Sequence, residues 1–150
     1  MSSLFPRPKP RKPRPVVFEE DGPTGSLTWL LGLFPLLLPI LGSVLAGPIM
    51  ALHASREARY NSFARDNALR AANCGLTYSL ISLMLIIVHF GAWGYLAARG
   101  MPPTGFAPLG YLVVLWVLLS AMHAGVCIVG GLRARRGEEF RWRLALSIFS

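Results

Sequence analysis

The stretch LFPLLLPILGSVLAGPIM, residues 33–50, decides the fold of this chain. It is apolar enough for the interior of a bilayer, yet it contains three prolines and two glycines. Pro35 and Pro39 each remove a helical hydrogen bond and clash with the preceding turn. The whole apolar segment, residues 27–52, is too short for two crossings, because each needs about 20 residues. We therefore predict a proline-broken segment, either a re-entrant hairpin of two half-helices or one kinked span.

The rest of the chain indicates an all-α membrane protein. Hydrophobic residues make up 53% of the 150 residues and charged residues only 15%, whereas about a quarter of a typical soluble domain is charged. Segments 74–98 and 109–132 contain no Lys, Arg, Asp or Glu, and each is long enough to cross a bilayer. Residues 26–150 are thus predicted to form one helical transmembrane domain with two full transmembrane helices.

Three segments outside these spans have their own character. Residues 1–25 alternate proline with cations and predict a disordered, basic, proline-rich cytoplasmic arm. Residues 53–73 are too polar to span but favour a helix, so we expect an interfacial helix that runs into the next span. The tail FRWRLALSIFS alternates, which predicts a short interfacial strip with Phe140, Trp142, Leu144, Leu146 and Ile148 on one side.

The distribution of Lys and Arg predicts the topology. The arm carries five, residues 53–73 four, the 99–108 loop one and the C-terminal segment five. If the first apolar segment crosses once, nine Lys and Arg residues lie inside and six outside. If it returns, fourteen lie inside and one outside. Because cytoplasmic loops hold the excess of cations, charge favours the return. Both termini then lie in the cytoplasm of a multi-pass inner-membrane protein, and the other spans should pack over the break.

The net charge of +8 favours anionic lipid headgroups as partners over nucleic acid, because basic segments beside apolar spans commonly face the membrane surface. The candidate residues for headgroup contact flank the spans; they are Arg56, Arg59, Arg133, Arg135 and Arg136.

Polar residues within the predicted spans are the candidates for chemistry. His89 and His123 lie one in each span, and Thr77, Ser79 and Ser82 form a polar stripe. Hydrogen bonding between helices is the simplest role for them, and lining a polar path is the alternative. We estimate an offset of roughly 8 Å between the two histidines along the spans, which does not suit a shared haem iron. No cofactor, metal site or catalytic set is predicted, so the chain is expected not to be an enzyme.

Small residues four positions apart indicate close helix packing. The pairs are Gly42 with Ala46, Gly94 with Ala98, and Ala121 with Gly125. The pattern does not distinguish contacts within one chain from contacts with a membrane-protein partner or a second copy.

Three stretches carry a resemblance to a known family. SFARDNALRAANCGLTYSLI (residues 62–81), GSVLAGPIMAL (42–52) and GLRARRGEEFRWRLALSI (131–148) resemble a small bacterial integral-membrane family of unknown function. Asn67 and Arg70 stand where that family often has a histidine and an acid. The family is sometimes grouped with the import-channel subunit of the chloroplast inner envelope, so the resemblance implies a translocation or accessory role.

These observations together predict a membrane protein without catalytic chemistry, acting as an accessory or scaffold subunit of a larger complex. The alternative is a small oligomeric pore or carrier whose path is lined by His, Ser and Thr side chains.

Overall fold

The computed structural model of the chain describes residues 22–57, 59–101 and 105–149. Within these ranges all regular structure is helical, which confirms the all-α prediction. The elements in chain order are α1 (Ser26–Leu31), a 3-10 turn (Phe34–Leu36), α2 (Pro39–Glu57), α3 (Ser62–Ala98) and α4 (Leu109–Arg135). Most of the predicted arm, residues 1–21, lies outside the described residues.

The first apolar segment turns back on itself at the prolines. Thr28 in α1 is hydrogen-bonded to His53 and Glu57 near the end of α2, so the two ends of the segment lie side by side. The two arms are unequal, since α1 has 6 residues and α2 has 19. The prediction of two half-helices is therefore wrong for α2, which stays helical through Pro48.

Main-chain groups in the turn of this hairpin form hydrogen bonds with one another. Leu36 N–H donates to Leu33 O at 2.9 Å, and Leu37 N–H donates to Phe34 O at 3.1 Å. Pro35 is buried against α2, where a Cβ on Gly42 would lie 2.7 Å from Pro35 Cα. Leu37 is nevertheless 77% exposed. The expectation that the other spans pack over the break is wrong at this tip. The main-chain groups of the turn bond to one another, so they do not need other helices as partners.

The predicted interfacial helix over residues 53–73 is divided in the structure. α2 ends at Glu57, and α3 begins at Ser62 after Asn61. The Asn61 side chain accepts a hydrogen bond from the Ala64 N–H at 2.7 Å, which is an N-cap that starts a new helix. The expectation of one helix over residues 53–73 is wrong, because the Asn61 cap favours the start of a new helix over continuation of α2. From Ser62, however, the helix runs unbroken into the predicted span, as expected.

Among the described residues, α3 and α4 are the two helices long and apolar enough to cross a membrane. They have 37 and 27 residues, and only 11% and 17% of their most apolar windows are buried within the chain. A core helix of a soluble protein would have most of this surface covered. Exposed apolar surface on this scale needs lipid or other membrane helices around it.

The packed core occupies only one end of the α3–α4 pair. Trp29, Met50, Cys74 and Cys127 are buried together there, where α1 and α2 join α3 and α4. This end, with residues 22–26, 56–57, 59–65 and 133–149, is called the arginine end. The opposite end, at residues 99–101 and 105–108, is called the loop end; of the Lys and Arg residues that the structure describes, it has Arg99 alone.

The tail segment, residues 136–149, follows α4 and packs back onto the bundle. Gly137 has φ 74° just beyond the helix end, the left-handed conformation that commonly ends a helix. Phe140 and Trp142 then pack against the core, but Leu144 and Leu146 are 72% and 54% exposed. The prediction of one apolar side is wrong, because a turn from Trp142 O to Ala145 N, 3.3 Å, interrupts the alternation.

Candidate functional site

A tyrosine lies at the centre of the buried polar groups. Tyr78 Oη is 2.8 Å from Ser43 Oγ of α2 and 2.9 Å from Ser120 Oγ of α4. Both serine hydroxyls also donate to carbonyls one turn earlier in their own helices, Pro39 O and Trp116 O. With both serine protons used in this way, the single proton of the Tyr78 hydroxyl donates to Ser43 or to Ser120 at one time, and the hydroxyl contacts both in this tyrosine cluster at the junction of α2, α3 and α4.

His123 completes the tyrosine cluster from α4. Its ring stacks on Tyr78 with the centroids 4.0 Å apart and the planes 3° from parallel. Its Nε2 lies 3.5 Å from Cys127 Sγ, and its Nδ1 lies 3.9 Å from Cys74 Sγ. Both cysteines are free and buried, where they pack as small apolar side chains.

A second polar cluster closes the hairpin. Thr28 Oγ1 donates its proton to Glu57 Oε2 at 2.9 Å. His53 Nδ1 also lies 2.9 Å from Thr28 Oγ1, and because the hydroxyl proton is already used, the His53 Nδ1–H is the donor in that contact. Thr28 is completely buried and Glu57 is 6% exposed. A carboxylate this buried needs donors, and Thr28 supplies one. Sequence reasoning missed this hairpin cluster; the spacing of His53 and Glu57, four apart on one helix, was the only local signal.

Polar side chains along one side of α3 hold the tail segment. Asn73 Oδ1 accepts from the Ile148 and Phe149 N–H groups at 3.1 and 2.9 Å, and its Nδ2 donates to Phe149 O at 2.9 Å. Thr77 Oγ1 accepts from Leu146 N–H at 2.9 Å, and Asn67 Oδ1 accepts from Phe140 N–H at 3.4 Å. A tail without regular structure thus obtains side-chain partners for its main chain.

The five residues predicted for a polar path lie in separate surroundings. Thr77 binds the tail segment, and Ser79 Oγ accepts from the Gly47 N–H at 2.9 Å. Ser82 is completely buried, and its hydroxyl has no partner among the described residues. His123 stacks on Tyr78, whereas His89 lies eleven residues further along α3, about 16 Å. The structure therefore does not bring the two histidines together, and their separation exceeds the estimate from sequence.

His89 lies instead in an apolar cleft between α3 and α4 towards the loop end. Leu85, Phe90, Leu112 and Trp116 are among its lining residues. Within the described part of the chain, His89 Nδ1 and Trp116 Nε1 have no hydrogen-bond partner.

The three small-residue pairs differ in burial. Gly42 and Ala46 lie inside the bundle, where Ala46 is fully buried. At Gly94 and Gly125 an added Cβ would meet nothing within 4 Å, and Ala98 and Ala121 are exposed as well. These two pairs do not pack within the described chain.

The arginines predicted for headgroup contact all lie at the arginine end and are exposed. Arg133 is also 4.0 Å from Glu138 and lies over the Phe140 ring. The complete set is Arg56, Arg59, Arg133, Arg135 and Arg136. No group of three or more His, Cys, Asp or Glu side chains among the described residues is arranged to hold a metal ion.

Comparison with known proteins gives one match. The model of the magnetosome magnetite crystal formation protein family matches residues 20–149, which is most of the chain. No curated protein and no solved structure matches it. The match agrees with the expected small bacterial membrane family, and none of the comparisons shows a link to the chloroplast import channel.

Proposed function

We propose, from the premise that this chain belongs to the magnetosome magnetite crystal formation protein family, that it is a non-catalytic accessory or scaffold subunit of a membrane complex at which magnetite crystals form. One observation supports this role most directly. The buried polar side chains bond the helices and the tail segment to one another, as in the tyrosine cluster and at Asn73.

The uncovered helix surfaces support assembly with another membrane protein. Gly94 and Ala98 face outwards from α3 towards the loop end, where α3 and α4 are the helices that the structure describes, and Ala121 and Gly125 face outwards from α4 on either side of His123. Small residues at this spacing let helix backbones approach closely, which stabilises helix pairs in lipid through packing. The occupant of these faces is a partner subunit or a second copy of the chain.

The distribution of charge supports a placement in the inner membrane with the arginine end in the cytoplasm. In this placement the hairpin of α1 and α2 enters the bilayer and returns, and α3 and α4 cross it. The exposed tip at Leu36, Leu37 and Leu38 lies in the hydrocarbon region. Arg56, Arg59, Arg133, Arg135 and Arg136 face anionic headgroups at the cytoplasmic surface.

Genetic replacement in a magnetite-forming host that lacks this chain tests the proposal. The wild-type chain and His89→Leu should both restore normal crystals, because a scaffold does not need the histidine. Gly94→Leu combined with Gly125→Leu should not restore them, and the chain should lose its partner on purification in mild detergent. Restoration by the double glycine variant, together with failure of His89→Leu, would overturn the scaffold role.

A small oligomeric pore or carrier is the second candidate. His89 Nδ1 and Trp116 Nε1 lack partners in the described chain, and lipid tails offer none. Ionisable groups inside a membrane commonly mark transport routes, so several copies could complete a path around His89. Ion flux into liposomes that contain the purified chain, abolished by His89→Leu, is the result that this candidate requires.

A further inference from the structure

The tail segment and the first half of α3 enclose a groove of about 840 Å³. Four of the residues that line it come from α3, among them the polar Asp66, Arg70 and Asn73, and seven come from the tail. Because Asn73 and Thr77 bind the tail main chain, the walls of this tail groove are held in place by hydrogen bonds.

The tail groove carries an excess of positive charge. Three guanidinium groups line it, those of Arg70, Arg141 and Arg143, against the single carboxylate of Asp66. Arg70 is already bound to Glu139 at 2.8 Å. In the part of the chain that the structure describes, Arg141 and Arg143 have no ion-pair partner. Two available guanidinium groups suit a phosphate, which accepts charge-assisted hydrogen bonds from arginine in bidentate geometry.

An apolar crevice continues from the tail groove between α3 and α4. It has a volume of about 150 Å³, and its walls include Ile81, Leu119 and Met122. Trp142 and Ala145 line both cavities, so the polar and apolar spaces adjoin there.

The length of the combined site matches one leaflet of a bilayer. Arg70 and Ile81 are eleven residues apart on α3, about 16 Å along the helix axis. Half of a hydrocarbon core of about 30 Å is about 15 Å. A ligand with an anionic head in the groove and an apolar chain in the crevice would therefore lie along the helices as a lipid of one leaflet does.

We propose that the tail groove and the adjoining crevice bind one anionic phospholipid. Its phosphate lies between Arg141 and Arg143, and an acyl chain lies along the crevice past Trp142. This site is distinct from the general headgroup contacts of Arg56 and the α4 arginines. The proposal does not depend on whether the chain acts as a scaffold or as a pore.

Lipid titration of the full chain in mild detergent tests the site, read by native mass spectrometry. Phosphatidylglycerol should bind more tightly than phosphatidylcholine with the same acyl chains. Arg141→Gln with Arg143→Gln should weaken phosphatidylglycerol binding about tenfold or more, since two charge-assisted hydrogen bonds are lost. The matched control is Arg65→Gln with Arg99→Gln, which removes the same charge at exposed positions outside the groove and should leave binding unchanged. Equal weakening by both pairs would show general charge attraction and overturn the proposal.

A second measurement compares two lipids on the unaltered chain, so this comparison does not depend on the folding of a variant. Phosphatidylglycerol with brominated acyl chains should quench tryptophan fluorescence more than brominated phosphatidylcholine, and Trp142→Phe should remove the difference. No difference between the two lipids in the unaltered chain would overturn the proposal. Inorganic phosphate is then added as a competitor. Displacement of the lipid only at phosphate concentrations far above the lipid concentration supports a lipid site. Phosphate that binds as tightly as the lipid would indicate an ion site and overturn the proposal.

Discussion

At the scale of single residues, several buried polar groups bond to a partner on another segment of the chain. Thr28 meets Glu57, Ser43 meets Tyr78, and Ser79 meets the Gly47 main chain. In a bundle this small, such contacts connect segments that share little apolar core. Their removal should therefore be measurable as a loss of stability.

Thr28→Val keeps the shape of the side chain and removes its hydroxyl. Glu57 then stays buried without its donor, so we expect a loss of about 2 kcal/mol in the free energy of unfolding. Equilibrium unfolding in mixed detergent measures it. Thr28→Ser retains the hydroxyl and should lose much less, and equal losses in the two variants would contradict the role given to this hydrogen bond.

Gly47→Ala tests the closest helix contact in the bundle. The added Cβ would lie 2.7 Å from Leu76 Cα and 2.8 Å from Gly75 O, and backbone atoms cannot move aside cheaply. We expect a loss of about 1–3 kcal/mol from overpacking. Gly91→Ala is the control, because nothing lies within 4 Å of its added Cβ and alanine favours helix by up to about 1 kcal/mol. A neutral Gly47→Ala in the same unfolding assay would show that α2 and α3 are further apart.

At the scale of elements, α3 performs two tasks along its 37 residues. Its first half is polar on the side that carries Asn67, Asn73 and Thr77, and there it holds the tail segment. Its second half is apolar and mostly exposed. The tail segment, in turn, depends on α3 for hydrogen bonds that it cannot make within itself.

Asn73→Ala should release the end of the tail segment. Three hydrogen bonds to Ile148 and Phe149 are lost, and opening should become easier by about 2 kcal/mol, or about thirty-fold in amide exchange rate. Hydrogen exchange of a C-terminal peptide, read by mass spectrometry, measures this change. Ser55→Ala is the control, since that hydroxyl bonds only to Leu52 O of its own helix. Unchanged exchange in Asn73→Ala would mean that apolar contacts alone hold the tail.

At the scale of the whole molecule, the two ends differ in both packing and charge. The arginine end brings four helices and the tail segment together, whereas the loop end has two helices with exposed faces. Residues 22–25 lie at the arginine end, because the Asn61 side chain donates to Pro23 O at 3.2 Å. The start of the described chain and its tail segment therefore lie at the same end.

Cysteine labelling in whole cells and in inverted vesicles tests this arrangement. With a membrane-impermeant maleimide, Gly22→Cys and Glu138→Cys should react from the same side, and Gly100→Cys should react from the other. The native Cys74 and Cys127 are buried and should contribute little background in the unaltered chain. Reaction of Gly22→Cys and Glu138→Cys from opposite sides would rule out the return of the first segment.

The sequence by itself determined the helical class, the two long apolar helices, the break in the first apolar segment at Pro35 and Pro39, and the arginine-rich segments at one end of the molecule. These follow from local composition and periodicity, which act over a few residues. Only the tertiary structure decided that Thr28 meets Glu57, that Asn73 holds the tail segment, and that His89 and His123 lie apart. Such contacts join residues 29 to 76 positions apart, and they depend on how helices pack side by side, which no local pattern records.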